Sequence, residues 1–250
     1  MLRLRRLATL IVFAFCIITG FSFWAVRVSG TVTVGDQSAP PQSGAKLSTL
    51  STITTAVDIS DSTIDAQWLT RTAAQTGIPA RALRAYAVAA DVANASAPAC
   101  HIGWNTVAAI GFVESVHGTL GGGNLMASGR SSQPITGPSL NGVGFAAIPD
   151  TDEGVLDGDP EWDHAVGPMQ FIPATWREVG RDGNGDGVAD PLNIDDAALS
   201  AASYLCAGGR DLATAQGWTD AILSYNRSES YVGRVRGQSK AYAAQSSSAG

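Results

Sequence analysis

The sequence predicts a mainly helical domain held outside a membrane by one N-terminal span. Three observations lead there. Apolar residues recur at helical spacing across residues 62–243, helix-start prolines and helix-stop glycines punctuate them, and the strand signal is weak, strongest at residues 143–148. With 250 residues, the chain can bury one sizeable core and still carry an appendage.

The elements follow in chain order. No charged residue occurs from Leu7 to Val26, and about 20 apolar residues span a bilayer as a helix. Arg3, Arg5 and Arg6 precede the run, so the N-terminus should stay inside and the rest be exported. The alternative is secretion after cleavage of a signal peptide, whose apolar core is shorter, roughly 7–15 residues, and ends at a small-residue site. No Ala-x-Ala follows, and Cys16 sits behind Phe15 rather than a small residue, which disfavours a lipoprotein site. Residues 1–28 are therefore read as an anchor. Residues 29–61 are Ser, Thr, Pro, Gly and Ala-rich and read as a flexible tether.

Asp61 or Ser62 is the expected cap of a first helix that Gly77 stops. Pro79 opens a second, residues 79–94, with Leu83, Tyr86, Ala87 and Ala90 on one face. A third, residues 104–117, ends at Gly118. Residues 118–165 are dense in Gly, Pro, Ser and Asp and show no period, a length that usually marks function or disorder. Further helices are expected at 173–179, at 197–206 with Asp195 or Asp196 as cap, at 219–225 and at 228–243, before a disordered tail, 244–250.

The formal net charge is −6, and the first 28 residues hold four Arg and no acid; removing them leaves −10 for the exported part. A nucleic-acid binder needs a basic footprint, and none is present. Cys100 and Cys206 form an even exported pair and read as a disulfide. The rival, a catalytic Cys beside His101, has no supporting local signature.

Glu114 is the chain's most informative residue. It lies in the apolar run Ile110-Gly111-Phe112-Val113-Glu114-Ser115-Val116-His117. A carboxylate among apolar neighbours is either half-exposed at a cleft lip or has a raised pKa, and both suit a general acid near neutral pH. Glu114 and His117 also match the Glu-x-x-His spacing of di-iron bundles, but these need a second such motif and two further Glu. His101 and His164 are the only other histidines, so His117 reads as a helix-end partner of the dipole. Asp182-Gly183-Asn184-Gly185-Asp186-Gly187-Val188-Ala189-Asp190 has the front of an EF-hand loop. Side-chain oxygens stand at positions 1, 3, 5 and 9, Gly at 6 and a backbone carbonyl, Val188, at 7. Asn193 holds position 12, where a bidentate acid is usual; structural calcium of modest affinity is expected.

Glu114-Ser115, then Gly167-Pro168-Met169-Gln170, then Tyr225-Asn226 resemble, in that order, the motifs of lytic transglycosylases. The resemblance covers about residues 78–242 and is closest to the membrane-bound B-type branch in its actinobacterial form. It implies a lysozyme-like (SLT) fold and cleavage of peptidoglycan glycan strands. Glu114 would protonate the glycosidic oxygen of the MurNAc–GlcNAc bond and then serve as base for the C6 hydroxyl, leaving a 1,6-anhydro sugar. Ser115 would bond the Glu114 carboxylate or substrate; Met169, Gln170, Tyr225, Asn226 and Tyr231 would shape the cleft, with the Tyr225 hydroxyl on Glu114 or the glycosidic oxygen. Pro168 replaces the commoner Leu and removes a backbone donor. The alternatives are a muramidase using Asp152, Asp157 or Asp163 as base, and a non-catalytic wall-binding module.

Overall fold

The computed structural model describes residues 39–40, 42–44 and 64–247. The expected anchor, most of the expected tether and the last three residues lie outside them. Among the described residues no helix is long and apolar enough to cross a membrane.

Among the described residues seven α-helices build the domain: α1 (Ala66–Thr76), α2 (Ala80–Ser96), α3 (Trp104–Ser115), α4 (Pro173–Val179), α5 (Ile194–Cys206), α6 (Ala215–Tyr225) and α7 (Glu229–Ser247). The core sits around α2, which packs against α3 and α5, while α7 lies along α3. Small side chains permit the close approach: Ala82, Ala85, Ala87, Ala89 and Ala90 of α2 are all buried. At Gly111 of α3, an added Cβ would stand 2.1 Å from the Tyr86 hydroxyl. α3 is apolar and buried on nearly every side as far as Gly111, so it lacks the polar face of a surface helix.

Helix ends follow local chemistry, with corrections to the expected boundaries. α1 is capped by Asp65, whose carboxylate accepts from the Trp68 amide at 2.6 Å, while the expected caps Asp61 and Ser62 lie outside the described residues; left-handed Gly77 stops it as expected. α5 is capped by Asn193, whose Oδ1 accepts from the Asp195 amide at 3.0 Å; Asp195 and Asp196 fall inside the first turn instead of capping it. α7 continues to Ser247, into the stretch expected to be a disordered tail. α3 has no side-chain cap of its own at Gly103. Residues 42–44, within the stretch read as a tether, supply one. Gln42 Oε1 accepts from the Gly103 amide, the Ser43 carbonyl accepts from the Trp104 amide, and the Ser43 amide donates to Asn105 Oδ1.

No strand forms among the described residues; only isolated bridges occur, Asn141 with Ala147 among them. The extended run expected at residues 143–148 is broken by Gly144 at φ 80°, and Val143 and Phe145 are exposed. Cys100 and Cys206 are disulfide-bonded with Cα atoms 5.3 Å apart, tying the approach to α3 to the last residue of α5.

Candidate active site

α3 stops one residue after Glu114 because Val116 and His117 are left-handed, at φ 52° and 62°. Neither is glycine, and this conformation costs about 1–2 kcal/mol per residue. Several contacts hold it. The His117 amide donates to the Gly111 carbonyl at 2.9 Å, and Ser115 Oγ donates to the Pro168 carbonyl at 2.6 Å while accepting from the Gly118 amide at 2.8 Å. Ser115 thus staples the end of α3 to the Gly167-Pro168 turn and does not bond the Glu114 carboxylate. The buried His117 ring lies between two tyrosines, Nδ1 at 3.1 Å from the Tyr86 hydroxyl and Nε2 at 2.8 Å from that of Tyr242. Burial lowers its pKa to about 4. His117 is therefore neutral near pH 7, a buried hydrogen-bond bridge and not the charged dipole partner expected.

Glu114 is half-buried, and the Tyr231 hydroxyl donates to its Oε1 at 2.5 Å. Burial raises the carboxyl pKa to about 7; the Tyr231 hydrogen bond and the charge of Arg234 act in the opposite direction. A group so placed is a substantial fraction protonated at neutral pH and can both give and take a proton. Tyr231 is 2 % exposed, and burial followed by the Glu114 charge keeps its phenol protonated. The Tyr225 hydroxyl is engaged elsewhere, donating to the Met169 carbonyl at 2.7 Å. Tyr231, not Tyr225, holds Glu114, although Tyr225 is close enough for the Glu114 charge to raise its pKa after burial does.

The Gly167-Pro168-Met169-Gln170 segment is a tight turn. Gly167 has φ 74°, and a Cβ on it would stand 2.0 Å from the Pro191 carbonyl oxygen. Gln170 has φ 52°, and its Nε2 donates to the Gly167 carbonyl at 3.0 Å. The Met169 side chain is wholly buried in the core, and its backbone carbonyl is the acceptor for Tyr225. Asn226 caps the C-terminus of α6 and is exposed.

In the Asp182–Asp190 loop, Asp182 accepts from the Gly185 and Gly187 amides, Asn184 Oδ1 from the Asp186 amide and Asp186 Oδ1 from the Val188 amide. Asp190 pairs with Arg130. Asn193 is occupied as the α5 cap and by donating to the Ser128 carbonyl. The acid that closes the loop is Asp196, three residues later and wholly buried. It accepts from the Gly183, Asn184 and Asp190 amides. Burial raises its pKa to about 7, and Asp182 and Asp186 add to the rise. Oxygen-only donors around an excess of negative charge fit a hard divalent cation.

The acids weighed as a second catalytic carboxylate hold the long loop. Asp163 is wholly buried and bonded by the Thr151 amide and hydroxyl. Asp157 accepts from the Asp159 and His164 amides. Asp152 accepts from Leu156, and oxygens of Asp150, Asp152 and Asp163 lie within 4.8 Å of one another. None of the three candidates is bonded to Glu114.

Residues 157–218 match the family model described as the Transglycosylase SLT domain. The matched stretch takes in the end of the long loop, the Gly167 turn, α4, the Asp182–Asp190 loop, α5 and the start of α6. It supports a domain of the lytic transglycosylase type, and the mainly helical architecture is consistent with a lysozyme-like fold. Glu114, Tyr225 and Tyr231 lie outside the match, and their assignment rests on geometry and on the motif order. No curated protein matches the chain.

Proposed function

We propose that this protein is a lytic transglycosylase, of the B-type branch in its actinobacterial form, that cleaves the β-1,4 bond between MurNAc and GlcNAc in peptidoglycan. One observation carries the reading: a half-buried glutamate at a helix end, with a pKa near 7, hydrogen-bonded to a buried tyrosine. Protonated Glu114 gives its proton to the glycosidic oxygen as the C1–O bond breaks, because an alkoxide is a poor leaving group. The carboxylate so formed takes the proton of the MurNAc C6 hydroxyl as that oxygen bonds to C1. Glu114 returns to its starting state, no water is consumed, and the new end is a 1,6-anhydro sugar. Tyr231 holds the carboxyl through both steps, and its hydrogen bond is strongest while Glu114 is ionised. Gln170 and Asn226 are proposed to contact sugar, and the Met169 backbone to shape the cleft wall.

We also propose an N-terminal anchor that keeps the domain on the outer face of the membrane. The Asp182–Asp190 loop is assigned structural calcium, held by Asp182, Asn184, Asp186, the Val188 carbonyl and Asp190. When bound, the ion supplies charge neutralisation beside Asp196, and no step of the reaction runs through it.

Mass analysis of fragments released from purified sacculi tests the reaction type. Anhydro ends are lighter than reducing ends by one water. Anhydro products are expected; reducing ends alone would make the protein a muramidase, and intact strands a binding module.

A further inference from the structure

Arg234 stands one helical turn beyond Tyr231 on α7, and residues three apart share a helix face. Its guanidinium carbon lies 5.7 Å from the centroid of the Tyr231 ring, and the hydroxyl of that ring is the group on Glu114. The cation is thus stacked on the residue that holds the candidate acid. Other arginines serve the fold: Arg81 pairs with Asp195, Arg130 with Asp190, and Arg236 lies over Trp218 and donates to Thr219. Arg234 is exposed, and among the described residues it forms neither an ion pair nor a hydrogen bond. Its charge is nonetheless felt by both Tyr231 and Glu114.

We propose that Arg234 is a specificity residue that pairs with a carboxylate of the bound glycan strand beside the scissile bond. The inference rests on reading the Glu114 site as a cleft for peptidoglycan. Alternate sugars of that polymer carry a lactyl ether. Its carboxyl is free where the peptide stem has been removed; where the stem is present, the free carboxylates are on the stem. The planar guanidinium fork matches a carboxylate through two parallel N–H donors, and stacking on Tyr231 limits the conformational freedom lost on pairing. The net charge of −10 outside the expected anchor repels an anionic polymer, so a local cation at the cleft sorts carboxylate-bearing strands from uncharged ones.

The test is equilibrium binding of three glycan fragments to the full chain. The first is stemless with the lactyl carboxylate free, the second carries a stem with free carboxylates, and the third carries a fully amidated stem. A Glu114→Gln parent keeps the fragments intact and is compared with the same protein carrying Arg234→Gln or Arg234→Lys. Arg234→Gln should weaken binding of a carboxylate-bearing fragment roughly 3- to 10-fold. Arg234→Lys should recover part of the loss, and the amidated fragment should be unaffected. Loss confined to the stemless fragment names the lactyl group as the partner; loss confined to the free stem names the stem. Unchanged affinity for all three overturns the proposal, as does an equal loss on all three or a parent that binds none. Binding is read separately from cleavage. Carboxylate-selective binding by a wild-type protein that never cleaves would keep this inference and remove the catalytic one.

Discussion

At Glu114 three influences meet: burial raises the carboxyl to about 7, while the Tyr231 hydroxyl and the Arg234 charge draw it down. Tyr231→Phe removes a donor that favours the ionised form, so the pKa should rise further. The alkaline limb of kcat/KM should move above pH 7, with kcat itself lowered roughly 10-fold for loss of a hydrogen bond to a charged group. A limb that stays at its wild-type position would show that the phenol does not tune the acid. The same shift has a consequence for stability. Folded Glu114 keeps its proton to about pH 7, whereas an unfolded Glu releases it near its ordinary 4.5. The stabilisation carried by the protonated carboxyl is whole below pH 4.5 and is lost as pH rises through 7, up to about 3 kcal/mol. Gln cannot ionise. Glu114→Gln should therefore gain on wild type across that window in denaturant melts, and parallel stability profiles would contradict the raised pKa.

The end of α3 is an element built against the preferences of its own residues. A β-branched Val and a His stand in left-handed backbone, which nothing in their types announces. The bridge from Tyr86 through His117 to Tyr242 is a tertiary arrangement, invisible until α2, α3 and α7 are packed. His117→Phe leaves the buried Tyr86 hydroxyl without its partner, while Tyr242 keeps its hydrogen bond with Gln238, and should cost roughly 1–3 kcal/mol at pH 7. It should also flatten an acid-dependent loss. Neutral His117 contributes stability that is whole above its ordinary 6.5 and is lost as pH falls to about 4, about 3 kcal/mol in all. Denaturation midpoints at pH 7 and pH 5 check this, and an unaltered pH dependence in the variant would refute it. Other helix ends were legible in the chain. Gly77 stops α1 and Pro173 starts α4 because their backbone constraints act locally. Asn193 displaced Asp195 and Asp196 as the α5 cap because Arg81 and the loop amides claim those carboxylates. Which tyrosine reaches Glu114 depends on how α7 lies along α3, so spacing alone could not choose between Tyr225 and Tyr231. Composition likewise could not reveal that Gln42 and Ser43 dock on α3.

Across the whole molecule, the Asp182–Asp190 loop is linked to the cleft by two short routes. Arg130 pairs with Asp190, and its neighbour Ser131 donates to the Gly118 carbonyl just beyond α3; Pro191 packs on Gly167. The disulfide joins the far ends of the same frame. Calcium in the loop should favour the folded state by mass action, about 2.7 kcal/mol at a hundred times its dissociation constant. A chelator should lower Tm, and Asp182→Ala with Asp186→Ala should remove the response. Identical melting curves with calcium and with chelator would reduce the segment to an ordinary turn. The frame serves one centre, and that centre is tested most directly by the ends left on purified sacculi after digestion with wild type and with Glu114→Gln. Wild type is expected to release fragments ending in 1,6-anhydro sugar, and Glu114→Gln, folded and still able to bind, to release roughly 10²–10⁴-fold fewer. Release by Glu114→Gln within a few-fold of wild type would place the acid elsewhere and contradict the account.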